Sequence, residues 1–155
     1  MENPNIQILM EQTSVNLPSL EISRKVQAIL NALGYEAYEI SLVITGDDQI
    51  RELNEKYRGI ARPTNVLAFP MLTDDDLPST PKLLGDLVVS AEKAEQEAKE
   101  AGITTDERIS QLLVHGVLHL VGYDHETGED HARVMEKKSL ELLRIIEENP
   151  GLDAF

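Results

Sequence analysis

Three of the chain's four histidines fall in one stretch, H-G-V-L-H-L-V-G-Y-D-H at 115–125. His115 and His119 stand at i and i+4. On a helix they leave the same face one turn apart, which brings two imidazole nitrogens within reach of one ion. Gly122 lets the chain leave that helix through a left-handed turn. The chain can then fold back and deliver His125 as a third ligand. Three imidazoles leave a coordination position open, the pattern of a catalytic rather than a structural zinc. The expectation is one Zn2+ per chain on His115, His119 and His125. Imidazole also suits nickel, copper and iron, so spacing alone does not select the metal. Asp124 is a candidate acceptor for a ligand ring N–H. His131 reads as an exposed residue of the last helix.

The spacing H-x-x-x-H-x-x-G-x-x-H equals that of the metzincin proteases, which carry Glu directly after the first His as general base. Here that position is Gly116. Glycine has no proton-accepting side chain, so a peptidase of the usual mechanism is disfavoured. A different partner for the metal lies at 51–62, R-E-L-N-E-K-Y-R-G-I-A-R. Four basic and two acidic residues leave this stretch at net +2 in a chain of net −14. Arg51 reads as part of a solvated helix face. Arg58 ends the helix beside Gly59, ahead of Pro63-Thr64-Asn65, and its guanidinium can fork onto phosphate oxygens. If Arg58 faces the metal, the pair makes a phosphoester site, with the metal as Lewis acid and Arg58 as charge clamp. Arg58 and His115 are therefore the catalytic candidates. Tyr123 reads as a core or turn residue beside the site. Asp86 and Ser90 flank a strand near the motif, where Asp86 could orient a ligand or simply solvate a strand edge. No residue is an evident general base.

Four segments together resemble the YbeY family of bacterial endoribonucleases and rRNA maturation factors. They are L-N-E-K-Y-R-G (53–59), P-T-N-V-L-A-F-P (63–70), L-G-D-L-V-V-S (84–90) and the histidine motif (115–125), in the family's order and over nearly the whole chain. The resemblance implies a single-strand-specific, metal-dependent endoribonuclease. Its family roles are maturation of the 3′ end of small-subunit rRNA and ribosome quality control. The resemblance also implies His115, His119 and His125 as zinc ligands and Arg58 as a functional arginine. The partners it implies are single-stranded RNA or rRNA, and a ribosomal protein or ribosome-associated GTPase. Two positions depart from it: Ala61, where the family often has Asp, and Ala68, where it often has Ser. Two other readings of the histidines remain, a metalloprotease of metzincin-like geometry and a non-catalytic, zinc-stabilised ribosome-assembly factor.

These residues need elements to hold them. A strand is expected over 5–12, then a helix from Pro18-Ser19 to Leu33 that Gly34 stops. A strand over 38–45 puts Ile40, Leu42 and Ile44 on one face. A helix over 47–57 should turn Ile50, Leu53 and Tyr57 inward. Strands follow over 66–70 and 84–90, separated by a polar stretch with Asp74-Asp75-Asp76. Ser90 can cap a surface helix that Gly102 closes. Thr104 with Glu107 forms a capping box for the histidine helix. A last helix over 127–148 should bury Val134, Leu142, Ile145 and Ile146. The order β-α-β-α-β-β-α-α-α makes an α+β domain, a small mixed sheet surrounded by helices with a zincin-like metal helix. One domain over 1–155 fits the length.

The chain has no cysteine. That excludes disulfides, a catalytic thiol and thiolate metal sites. No apolar run nears the roughly 20 residues of a membrane span. The start, Met1-Glu2-Asn3-Pro4, lacks the regions of a signal peptide. A soluble, cytoplasmic protein without membrane association is expected. The acidic balance runs against the basic character usual in nucleic-acid binders, so RNA affinity must come from a local patch or from a partner.

Overall fold

The structure, a computed structural model, describes residues 5–11, 15–72, 82–123 and 128–154. His125, Asp124 and the polar stretch 73–81 lie outside the described residues. The elements follow the expected order: β1 (Ile6–Met10), α1 (Ser19–Leu33), β2 (Glu39–Thr45), α2 (Asp47–Arg58), β3 (Val66–Pro70), β4 (Leu83–Ser90), α3 (Ala91–Ala101), α4 (Thr105–Leu120) and α5 (Glu129–Ile146). The fold is α+β. Its four strands lie in the order β1-β2-β4-β3. β1, β2 and β4 run parallel, and β3 pairs antiparallel with β4 at one edge.

Strand alternation sorts the side chains onto two faces. Ile8, Leu42, Leu87 and Ala68 pair in register across the sheet. This row belongs to the main core, with Val26, Ile29 and Leu30 of α1, Leu113, Val117 and Leu118 of α4 and Met135 of α5. The intervening residues Leu67, Val88, Val43 and Phe69 pack with Ile50 and Leu53 of α2 in a second, smaller cluster. β3 therefore turns Val66 and Ala68 toward the main core and Leu67 and Phe69 toward α2. Ten residues of α4 are buried, Gly116 among them. Each fully covered leucine there contributes about 1.5–3 kcal/mol of transfer free energy.

The expected punctuation is present. Gly34 at φ 82° closes α1. Ser90 Oγ accepts from Lys93 N–H at the start of α3. Thr104 and Glu107 exchange both bonds of the capping box at 3.1 and 2.9 Å.

Three packing expectations are corrected. Tyr57 is 58% exposed rather than inward. It continues the Ile50–Leu53 stripe, but in the last turn of α2 its ring meets the partly buried Phe69. In α5 the buried stripe runs through Met135, Ser139, Leu142 and Leu143, which leaves Val134 and Ile145 more than half exposed. These two flank the stripe, one position off its centre at each end. The third is α3, expected as a surface helix. Ala91, Ala94 and Ala98 are buried, and their small size lets α3 lie close against the rest of the fold. Its charged residues cover the other side.

Candidate active site

α4 carries its two histidines near its C-terminal end. The rings meet edge to face, with centroids 4.5 Å apart. Their Nε2 atoms face each other at 3.0 Å. Two imidazoles that converge in this way share either a proton or a cation. Two ligands at zinc–nitrogen distance in a tetrahedral shell would stand about 3.3 Å apart, so the pair fits a common ion with little movement. The carbonyl end of a helix carries partial negative charge and favours a cation there. Among the described residues no group of three His, Asp or Glu side chains converges to hold a metal. The third expected ligand, His125, is outside them.

The chain leaves α4 as expected. Gly122 has φ 99°, and its N–H donates to His119 O. Tyr123 N–H donates to Leu118 O, and its side chain packs against the main core while lining the site. Both roles considered for it, turn and core, are therefore filled together.

Gly116 lies between the two histidines and is pressed against the sheet. A Cβ added there would stand 2.8 Å from Leu87 Cδ2 and 3.4 Å from Val66 Cγ2. The absence of a glutamate after the first histidine thus has a packing cause. The position that holds the base in metzincins is one where α4 packs tightly on Val66 of β3 and Leu87 of β4.

A cleft of about 800 Å³ runs beside the two histidines, along β3. Its other wall is the C-terminal turn of α2, with Tyr57 and Arg58. The structure therefore brings Arg58, His115 and His119 to one cleft, although Arg58 and the first histidine are 57 positions apart in sequence. Arg58 is exposed, as a phosphate-binding guanidinium must be. Asp86 and Ser90 do not line the cleft. Asp86 sits opposite Ser41 and Phe69 in the sheet. Ser90 is a helix cap that also donates to Asp47 Oδ1 at 2.6 Å.

The loop between α2 and β3 is fixed from both sides. Arg51 Nε donates to Ala61 O, and the buried Asn54 donates from Nδ2 to Arg62 O at 2.8 Å. Asn65, on the wall of the cleft, donates to Glu97 Oε1 at 3.1 Å. Arg108 holds the same carboxylate at 3.1 Å and also donates to Gln111. Gln111 donates to Asp153 O. This chain from Asn65 to the C-terminal segment was not read from the sequence. Its one local signal is the Asn directly before a strand, a residue type that bonds neighbouring backbone and side chains.

The YbeY family model, "Endoribonuclease YbeY", matches residues 7–147. The chain belongs to the YbeY family. It is 50% identical over 131 residues to Endoribonuclease YbeY of Geobacter sulfurreducens, which covers 83% of this chain and 87% of the relative. To Endoribonuclease YbeY of Aquifex aeolicus it is 43% identical over 122 residues, 79% of this chain and 77% of the relative. The solution structure of TM1509 from Thermotoga maritima superposes with a TM-score of 0.63 at 25% identity, over 94% of this chain and 99% of that one. The four segments that carry the resemblance lie at separate places in the fold. One lies at the end of α2, one leads into and forms β3, one falls within β4, and the described part of the last, 115–123, covers the end of α4 and the turn after it.

Proposed function

We propose that this chain is a zinc-dependent endoribonuclease that cuts single-stranded RNA in the cytoplasm. Its work there is 3′-end maturation of small-subunit rRNA and ribosome quality control. The observation that carries the reading is the convergence of Arg58 with His115 and His119 on one cleft, in a chain of the YbeY family. The imidazoles of His115 and His119, joined by His125, would hold the ion, so that α4 serves as a zincin-like metal helix. When bound, zinc supplies Lewis acidity toward a phosphate oxygen and toward water. The chain's own residues do the rest. Arg58 binds the scissile phosphate and stabilises the charge that develops on it. The Asn65–Glu97–Arg108 chain holds the end of the loop that runs from Arg58 to β3. A ribosomal protein or ribosome-associated GTPase would deliver the RNA to a chain of net −14.

The test compares wild type, His119→Ala and Arg58→Glu for metal content and for cleavage of a single-stranded rRNA fragment. His119→Ala should lose metal and cleavage together. Arg58→Glu should keep its metal and lose cleavage by about 10²–10³-fold, the usual cost of removing one charge-stabilising group. Cleavage by pure wild type that survives complete chelation would refute the metal's role. No cleavage under any metal would point instead to a non-catalytic assembly factor. Digestion of casein with RNA left intact would point to a protease.

A further inference from the structure

Tyr57 has the wrong environment for a core residue and the right one for a ligand. Of the large apolar side chains left exposed among the described residues, it is the one that lines the cleft. Its ring is not loose on the surface. It meets Phe69 at a centroid distance of 5.2 Å and an interplanar angle of 67°, an edge-to-face contact that fixes its plane. Phe69 is itself packed with Ile50 and Leu53 against the sheet. Basic residues stand on either side of it in sequence. Lys56 Nζ is 5.2 Å from the ring centroid, and Arg58 lines the cleft with it. An oriented aromatic ring with one cation over it and a second lining the same cleft is how proteins receive a strand of unpaired nucleotides. The ring takes the base and the cations take the flanking phosphates.

We propose that Tyr57 is the stacking platform for one unpaired base of the bound strand, and that through it the site tells single-stranded from double-stranded RNA. The proposal rests on the endoribonuclease reading and goes beyond it by assigning a nucleobase subsite. A base in a duplex already has both faces covered by its neighbours. It cannot offer one to a ring on a protein surface without being pulled from the stack. A single strand offers it at little cost. The same contact explains why the α2 stripe is left unfinished at its last turn: burying Tyr57 would remove the platform.

The experiment uses full-length, metal-loaded protein and a single-stranded oligoribonucleotide carrying 2-aminopurine, with the same sequence closed into a hairpin stem as the duplex arm. Tyr57→Ala should weaken single-strand binding and raise KM by roughly tenfold to a hundredfold, the range found for removal of one stacking partner. Its kcat should stay within about twofold. The preference for single strand over duplex should narrow by a similar factor. Wild type should quench 2-aminopurine at one position on binding, and Tyr57→Ala should not. Tyr57→Phe and Tyr57→Trp should behave like wild type. Tyr57→Leu, which keeps an apolar side chain for packing on Phe69, should behave like Tyr57→Ala. The stacking role is overturned if Tyr57→Leu retains wild-type KM and strand preference, or if Tyr57→Phe fails as badly as Tyr57→Ala. If wild type itself neither binds nor cuts the single strand, the proposal falls together with the endoribonuclease reading.

Discussion

Gly116 shows how one residue type can be decided by two unrelated demands. By composition it is the missing base of a protease. By geometry it is a point of close approach between α4 and the sheet, with Leu87 Cδ2 only 2.8 Å from where a Cβ would be. Two effects of opposite sign meet in Gly116→Ala. Alanine gains up to about 1 kcal/mol of helix propensity over glycine. Overpacking a filled core costs typically about 1–3 kcal/mol. Leu87 is fully buried, so it has no solvent to swing into, and the packing cost should win. We expect Gly116→Ala to be less stable by about 1 kcal/mol in denaturant melts. Gly116→Glu should fall much further and gain no peptidase activity. A Gly116→Ala protein as stable as wild type would show that Leu87 yields freely and that the close approach is not a constraint. The residue scale is also where the sequence is least explicit. Arg58, His115 and His119 can be picked out by type and spacing. Tyr57 cannot, because its apolar body fits the α2 stripe and only the packed fold shows that it stays exposed there against Phe69.

At the scale of elements, ends are more legible than faces. The capping box and the closing glycines mark where helices begin and stop, because caps are local chemistry between residues three or four apart. The inward face of α5 depends on what α1 and α4 present to it, and so Met135 and Leu143 take the places expected of Val134 and Ile145. Strand order is likewise set by packing, and no local signal puts β4 between β2 and β3. The capping box makes its own prediction for α4, the helix on which the candidate metal centre stands. Thr104→Ala removes the acceptor for Glu107 N–H and should cost about 1 kcal/mol in denaturant melts. Glu107 is held below the usual carboxylate range, first by the Thr104 backbone N–H and then by the Asn149 side chain. A carboxylate with a lowered pKa in the folded state stabilises above its unfolded pKa, about 4.3, and loses that contribution as pH falls through the folded value. Glu107→Gln should therefore be slightly less stable than wild type at pH 7, and the two melts should converge in acid. The difference will be small because Glu107 lies at the surface and is only partly buried, where solvent screens the interaction. A gap that widens in acid would reverse the assigned sign.

Across the whole molecule, charge and function pull apart. A chain of net −14 repels RNA at long range, yet its candidate cleft is bordered by Tyr57 and Arg58 of a stretch, 51–62, that is net basic. The histidine motif and that stretch were both visible in sequence. Their facing one another across β3 was not, because it follows from α2 and α4 packing on opposite faces of the same edge strand. If the local patch supplies the affinity, binding must depend on salt through a few contacts only. Each phosphate neutralised on a single strand contributes about −0.7 to the slope of log K against log salt. Arg58, Lys56 and Arg62 are exposed, whereas Arg51 bonds the Ala61 carbonyl. Three contacts give a slope near −2. Lys56→Ala and Arg62→Ala should each flatten it by about 0.7 and weaken binding similarly for all sequences, while Arg51→Ala should act mainly through the loop it holds. Titration of a fluorescent single-stranded RNA at several salt concentrations measures this directly. A slope that stays near −2 in the double variant Lys56→Ala/Arg62→Ala would mean the RNA is held elsewhere on the molecule. A slope near zero in wild type would leave a delivering partner as the source of affinity.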